Sequence, residues 1–104
     1  LFQSKLYLTI SELETSQGYT DIYMRRSHMW PDIPYEWVWE IKYVKNEDAT
    51  ENVLQEKREQ ARAQLRKYRD SYMFAGRTDV RYLSLIFIGK DRYEIEELPS
   101  VATN

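Results

Sequence analysis

The chain has 104 residues, 42% hydrophobic and 31% charged, and its 15 Lys plus Arg against 17 Asp plus Glu leave a net charge of -2. That length is one domain, and 24 Leu, Ile, Val and Phe supply enough apolar side chain to exclude global disorder. With no Cys and one His, His28, disulfide frameworks, thiolate and multi-histidine metal sites, iron-sulfur clusters and cysteine nucleophiles are excluded. No apolar run approaches the roughly 20 residues of a membrane-spanning helix, and the amino end lacks a signal-peptide pattern. These features predict a cytoplasmic protein with no membrane partner. The near-neutral charge argues against a large electropositive surface. Leu1 stands already in apolar register, so residues 1–104 are expected to be a single domain cut from a longer polypeptide.

Residues 6–11 alternate with period two and predict a strand with Leu6, Leu8 and Ile10 on one side. Gly18 marks a turn, and 19–24 read as a second strand, so the two form an N-terminal hairpin. Residues 25–34 contain Pro31 and Pro34 and read as a loop. The run 35–44 is aromatic and β-branched on both parities except at Glu40 and Lys42, the pattern of a strand covered on both faces. From about 49 to 74 there is no Gly or Pro, and Leu54, Ala61, Leu65, Tyr68 and Tyr72 form one stripe of a long amphipathic helix. Gly76 stops it; 80–88 is a second apolar strand, 93–98 a third short one, and 99–104 a frayed tail. Strand, long helix, strand is a crossover unit with parallel strands. The predicted architecture is α/β (α+β): a mixed β-sheet with an N-terminal hairpin and one long crossover helix.

Ionisable groups inside such strands need partners or a metal. Glu40 and Lys42, two residues apart, point to one face, and Asp21 from the neighbouring strand can converge there. Two adjacent carboxylates raise each other's proton affinity and are reconciled by a hard divalent cation such as Mg2+. Asp, then Glu-x-Lys, is therefore a candidate site for metal-assisted phosphodiester hydrolysis.

With Gly18, Tyr19, Thr20, Asp21 and Ile22, then Glu40, Ile41 and Lys42 in an apolar strand, then Ala61, Gln64, Leu65 and Tyr68 on the following helix, the chain resembles the PD-(D/E)XK nuclease superfamily. It looks most like the nuclease-like C-terminal domain behind AAA-type ATPase modules of bacterial proteins. The resemblance, over about 6–88, implies a restriction-endonuclease-like core of three strands, a helix and a strand, preceded by another helix. It implies Asp21, Glu40 and the carbonyl of Ile41 as ligands of Mg2+ or Mn2+, Lys42 as the catalytic lysine, and Gln64 beside the site. DNA as substrate and an ATPase domain upstream in the same polypeptide follow from it too. The family's first helix, which often carries a glutamate, has no counterpart in the few residues before the first strand. Glu12 and Glu14 stand at the end of that strand instead, and Thr20 occupies the motif's proline position.

Each of these residues also has a plainer role. Glu40 and Lys42 can be a surface ion pair, Asp21 can bond hairpin backbone near Gly18, and Gln64 can face solvent. His28 reads as a loop residue. Arg58, Arg62, Arg66, Lys67 and Arg69 are either a solvated face paired with Glu51, Glu56 and Glu59 or a phosphate-contacting rim. Trp30, Trp37 and Trp39 read as core rather than a base-stacking platform. Two readings of function stand: a Mg2+-dependent nuclease domain acting on DNA, or a catalytically inactive nuclease-fold module for interaction or oligomerisation attached to an upstream ATPase. A third gives the exposed edge and aromatic loop a protein-binding role, as in a homodimer.

Overall fold

The computed structural model describes the backbone of residues 7–11, 14–15 and 18–19 and the full residues 21–26 and 34–100. Strands β1 (Tyr7–Ser11) and β4 (Ile22–Arg26) form the expected hairpin, closed by the short ladder of β2 (Glu14–Thr15) and β3 (Gly18–Tyr19). The long strand β5 (Glu36–Val44) leads through a 3-10 turn at Asn46–Asp48 into helix α1 (Glu51–Arg69), and β6 (Val80–Ile88) and β7 (Arg92–Leu98) follow. The sheet order is β1-β4-β5-β6-β7. Only β5 and β6 are parallel, joined by α1, so the mixed sheet with one crossover helix is as the hydrophobic pattern predicts.

Helix α1 begins where the Thr50 hydroxyl accepts from the Val53 N–H at 3.3 Å, satisfying a donor that the first turn leaves unpaired. It ends five residues short of the expected 74. The Ser71 N–H and hydroxyl both donate to the Tyr68 carbonyl, at 3.0 and 2.6 Å, and this local bonding replaces the next helical turn. Tyr72 therefore leaves the stripe and stands 94% exposed, whereas Leu54, Ala61, Leu65 and Tyr68 are buried as expected. Phe74, carried on the turn that follows, is fully buried in its place. The β6–β7 turn is close-packed: Gly89 has φ +63°, donates its N–H to Val44, and would bring a Cβ within 3.0 Å of Asn46.

The core lies between α1 and the sheet in two clusters. Tyr23, Val38, Leu65, Tyr68, Phe74, Val80 and Tyr82 fill one end, and Val44, Leu54, Ile86 and Ile88 the other. The face of β5 away from α1 is only half-buried at Trp37, Trp39 and Ile41 and open at Tyr43, so the expectation of full cover on both faces holds for one face alone. Trp37 lies under the Arg81 guanidinium, 4.9 Å from its carbon to the ring centre. Phe87, Tyr93 and Ile95 continue that exposed face. His28 and Trp30 lie outside the described residues, as do Glu12 and 101–104.

Where β5 enters the sheet, the buried carboxylate of Glu36 accepts from the Tyr23 hydroxyl, the Arg26 N–H (2.8 Å) and the Arg77 guanidinium (2.7 Å). Arg77 and Arg26 also grip Asp79, whose acidity Arg77 holds at a pKa of about 2. This network ties β4, β5 and the approach to β6 together. Glu36→Ala leaves a guanidinium and a phenol short of an acceptor, and is expected to cost about 3 kcal/mol of stability in urea denaturation; a loss under about 0.5 kcal/mol would show the network to be decorative.

Candidate active site

Asp21 does not lie within the second strand, as the run 19–24 suggests. It sits at a bend just before β4, which starts at Ile22 opposite Trp39. One step further along that ladder places Asp21 beside Glu40, and the bend lets its carboxylate accept from the backbone N–H of Ile41 at 2.7 Å. Because N–H and C=O of one strand residue leave toward the same neighbouring strand, the Ile41 carbonyl is directed to the Asp21 side, beyond the end of the β4–β5 ladder. Asp21 thus bonds β5.

Glu40 is 4% exposed. One carboxylate oxygen lies 3.4 Å from the Lys42 ammonium and the other accepts from the Tyr68 hydroxyl at 3.3 Å. Gln64 donates to that same hydroxyl at 3.1 Å. It is half-buried and aimed at the site through Tyr68. Glu40 and Lys42 are therefore a shared, largely enclosed pair instead of a surface salt bridge. Burial and then the negative charge of Asp21 push the Glu40 carboxyl above its ordinary value, against Lys42 and Tyr68. Tyr68, buried beside Glu40, is pushed up as well.

Register extends this polar group across the sheet. Glu40 lies opposite Ser84, and Ser84 opposite Glu96. Lys42 lies opposite Ile86, and Ile86 opposite Glu94. The polar row from Asp21 to Glu96 separates the two apolar clusters of the core. Ser84, buried in an otherwise apolar strand, borders a cavity of about 350 Å3 with Arg58, Ile86, Glu94 and Glu96. Ser84 is a residue that sequence reasoning missed, and its one signal is a small polar side chain inside 80–88. Glu36 was missed too, although it shares the parity of Glu40 and Lys42. Tyr68 was expected to be core, and it is also the donor that meets Glu40.

A divalent cation fits this donor set. The site offers only oxygen, as Mg2+ or Mn2+ prefers, and the carboxylate pair is poorly compensated, because Glu40 is held by one ammonium while Asp21 opposes it. Among the described residues no third His, Asp, Glu or Cys converges on the pair. A main-chain oxygen such as that of Ile41, together with water, would complete the shell.

The family model of the PD-(D/E)XK nuclease superfamily matches residues 1–97. No curated protein and no solved structure matches the chain.

Glu40 yields a stability prediction for the metal-free protein. A carboxyl whose folded pKa lies above the ordinary 4.5 favours the folded state fully below pH 4.5, and that favour is lost as pH rises through the folded value. In EDTA, Glu40→Gln should melt above the parent at pH 7, and the gap should close as pH falls toward 4.5. A variant that melts below the parent at every pH would mean that the Glu40 charge stabilises the fold.

Proposed function

Because the chain belongs to the PD-(D/E)XK nuclease superfamily, we propose that it is a Mg2+-dependent nuclease domain that hydrolyses phosphodiester bonds in DNA. Nucleases of this superfamily generally work with divalent metal ions, and membership brings nuclease-type activity on nucleic acid. The observation that carries the finer reading is the convergence of Asp21, Glu40 and Lys42 at the bend that precedes β4. Burial and then the neighbouring Asp21 carboxylate both disfavour the charge on Glu40, a combination that clusters at functional sites.

In this reading Asp21, Glu40 and the Ile41 carbonyl would hold the cation, and the chemistry it would supply there is Lewis-acid polarisation of the phosphate and a more acidic water. Asp21 is oriented by the Ile41 N–H, so its position follows from the path of β5. Lys42, anchored on Glu40, keeps an ammonium beside the reacting phosphate, where it orients water and stabilises charge developing on the phosphate oxygens. Gln64 acts through Tyr68: it accepts none of the chemistry itself and fixes the hydroxyl that donates to Glu40. Gln64 is therefore a positioning residue. A cysteine-free chain is suited to the cytoplasm.

A competing reading is an inactive nuclease-fold module attached to an upstream ATPase or assembled as a homodimer. The net charge of -2 and a carboxylate pair without a third converging side chain among the described residues favour it. Retention of Lys42 at 3.4 Å from Glu40 favours the nuclease.

Calorimetric titration with Mn2+ separates the two. The parent should bind, Glu40→Gln should not, and Asp21→Asn should bind more weakly, with circular dichroism confirming that each is folded. A folded parent that takes up no Mn2+ supports the inactive module. On a DNA substrate, Lys42→Ala should lower metal-dependent cleavage about 10²- to 10³-fold with little change in melting; undiminished cleavage would remove Lys42 from the mechanism.

A further inference from the structure

The basic segment of α1 reads in the sequence as one block, and the structure divides it into two edges. At about 100° per residue, Arg58, Arg62 and Arg69 fall on one side of the buried stripe Leu54, Ala61, Leu65 and Tyr68, while Lys57, Gln60, Gln64 and Lys67 fall on the other. The arginine edge faces β7. Arg58 is bidentate on Glu94, at 2.9 and 2.6 Å, and also holds Glu51. Arg62 is bidentate on Glu96, at 2.5 and 2.8 Å, and also holds Glu59. Arg58 and Arg62 are thus each matched by two carboxylates, and Arg69 is held by Asp70 and the Pro99 carbonyl, so this edge offers a phosphate no net positive charge.

The lysine edge faces the candidate site, since Gln64 reaches Glu40 through Tyr68. Among the described residues, neither Lys57 nor Lys67 takes part in an ion pair with a carboxylate. Among the residues of α1 the acidic neighbour on this edge is Glu56, which lies further out and accepts from Gln60 at 3.3 Å. Register fixes the level of Lys57. Arg58 grips Glu94, which is opposite Ile86, which is opposite Lys42. The turn of α1 that carries Lys57 therefore lies at the level of Lys42, with Lys57 half-buried and Lys67 exposed. Ten residues separate Lys57 from Lys67, about 15 Å of helix, comparable to the rise of about four nucleotides in one strand of a duplex.

We propose that the lysine edge of α1, with Lys57 and Lys67 at its ends, is the track on which the DNA backbone lies as it enters the site. The inference rests on the nuclease reading above and deepens it: the helix contributes backbone contacts from its lysines alone, while its arginines hold the sheet.

The test is fluorescence anisotropy of a fluorescein-labelled 20-base-pair duplex, titrated between 50 and 200 mM NaCl with Ca2+ in place of Mg2+. Lys57→Ala with Lys67→Ala should weaken binding about tenfold at the upper salt and flatten the plot of log affinity against log salt by about 1.8, the loss of two phosphate contacts. Lys57→Arg with Lys67→Arg should restore both, and Arg66→Ala and Lys90→Ala, at exposed positions off the track, should bind as the parent does. Lys67→Ala alone, at an exposed position, gives half the slope change should the double variant melt early. A parent that binds while the lysine variants keep its affinity and slope overturns the track and spares the nuclease reading. An equal loss in Arg66→Ala also overturns it, because the contact is then diffuse. A parent that binds no duplex at any salt overturns the reading on DNA and the track with it.

Discussion

The molecule is organised around one carboxylate, that of Glu40, at the middle of a sheet between two apolar clusters. An ionisable group there is tolerated only if its neighbours answer it. Tyr68 comes down from the helix to one oxygen, Lys42 comes along the strand to the other, and Ser84 replaces an apolar residue on the adjoining strand. Asp21 then makes the balance worse. The hairpin bends so that this second carboxylate docks on the Ile41 N–H next to Glu40, and the result is a concentration of negative charge in a mostly enclosed setting.

Glu36 makes the contrast plain. It stands four residues earlier on the same strand and the same face, and it is buried to the same degree. Its carboxylate is answered by a guanidinium, a phenol and a backbone N–H, and Arg77 and Arg26 extend the pairing to Asp79. Charge and hydrogen-bond capacity there are matched, which is how an ion pair serves a fold. At Glu40 a lysine with a quarter of its side chain exposed and a tyrosine face two carboxylates, and burial, then the Asp21 charge, raise the Glu40 pKa against them. Two glutamates with one local environment in the sequence thus have opposite characters, set by what the next elements bring to them.

Helix α1 mediates between these regions. Its buried stripe closes the core, its arginines clamp the outer strand β7, and Gln64 with Tyr68 supports the site. The clamp has a second consequence at the sheet edge. Glu94 and Glu96 of β7 are engaged from above by the helix, while Glu97 is held from below by Arg81. An edge strand so rich in carboxylates is a poor template for pairing with another strand.

Local chemistry was enough to locate the strands, the helix and the parallel crossover, because hydrophobic period and Gly and Pro placement act over a few residues. The charges of Asp21, Glu40 and Lys42 stood out against apolar neighbours, the nuclease resemblance added Gln64, and the structure brings Asp21 and Lys42 to Glu40 and links Gln64 to it through Tyr68. The end of α1 was not legible: a seryl side chain competing for the Tyr68 carbonyl outweighed a run of good helix formers and put Phe74 in the core where Tyr72 was expected. Nor was the split of the basic segment, because Arg58 and Lys57 differ only in which strand lies beneath them. What the sequence determined by itself was which residues carry charge and which elements they ride on. What only the tertiary structure decided was the pairing of each charge, and with it the difference between Glu36 and Glu40 and between the arginine and lysine edges, because partners 10 to 41 residues apart are chosen by sheet register and helix orientation.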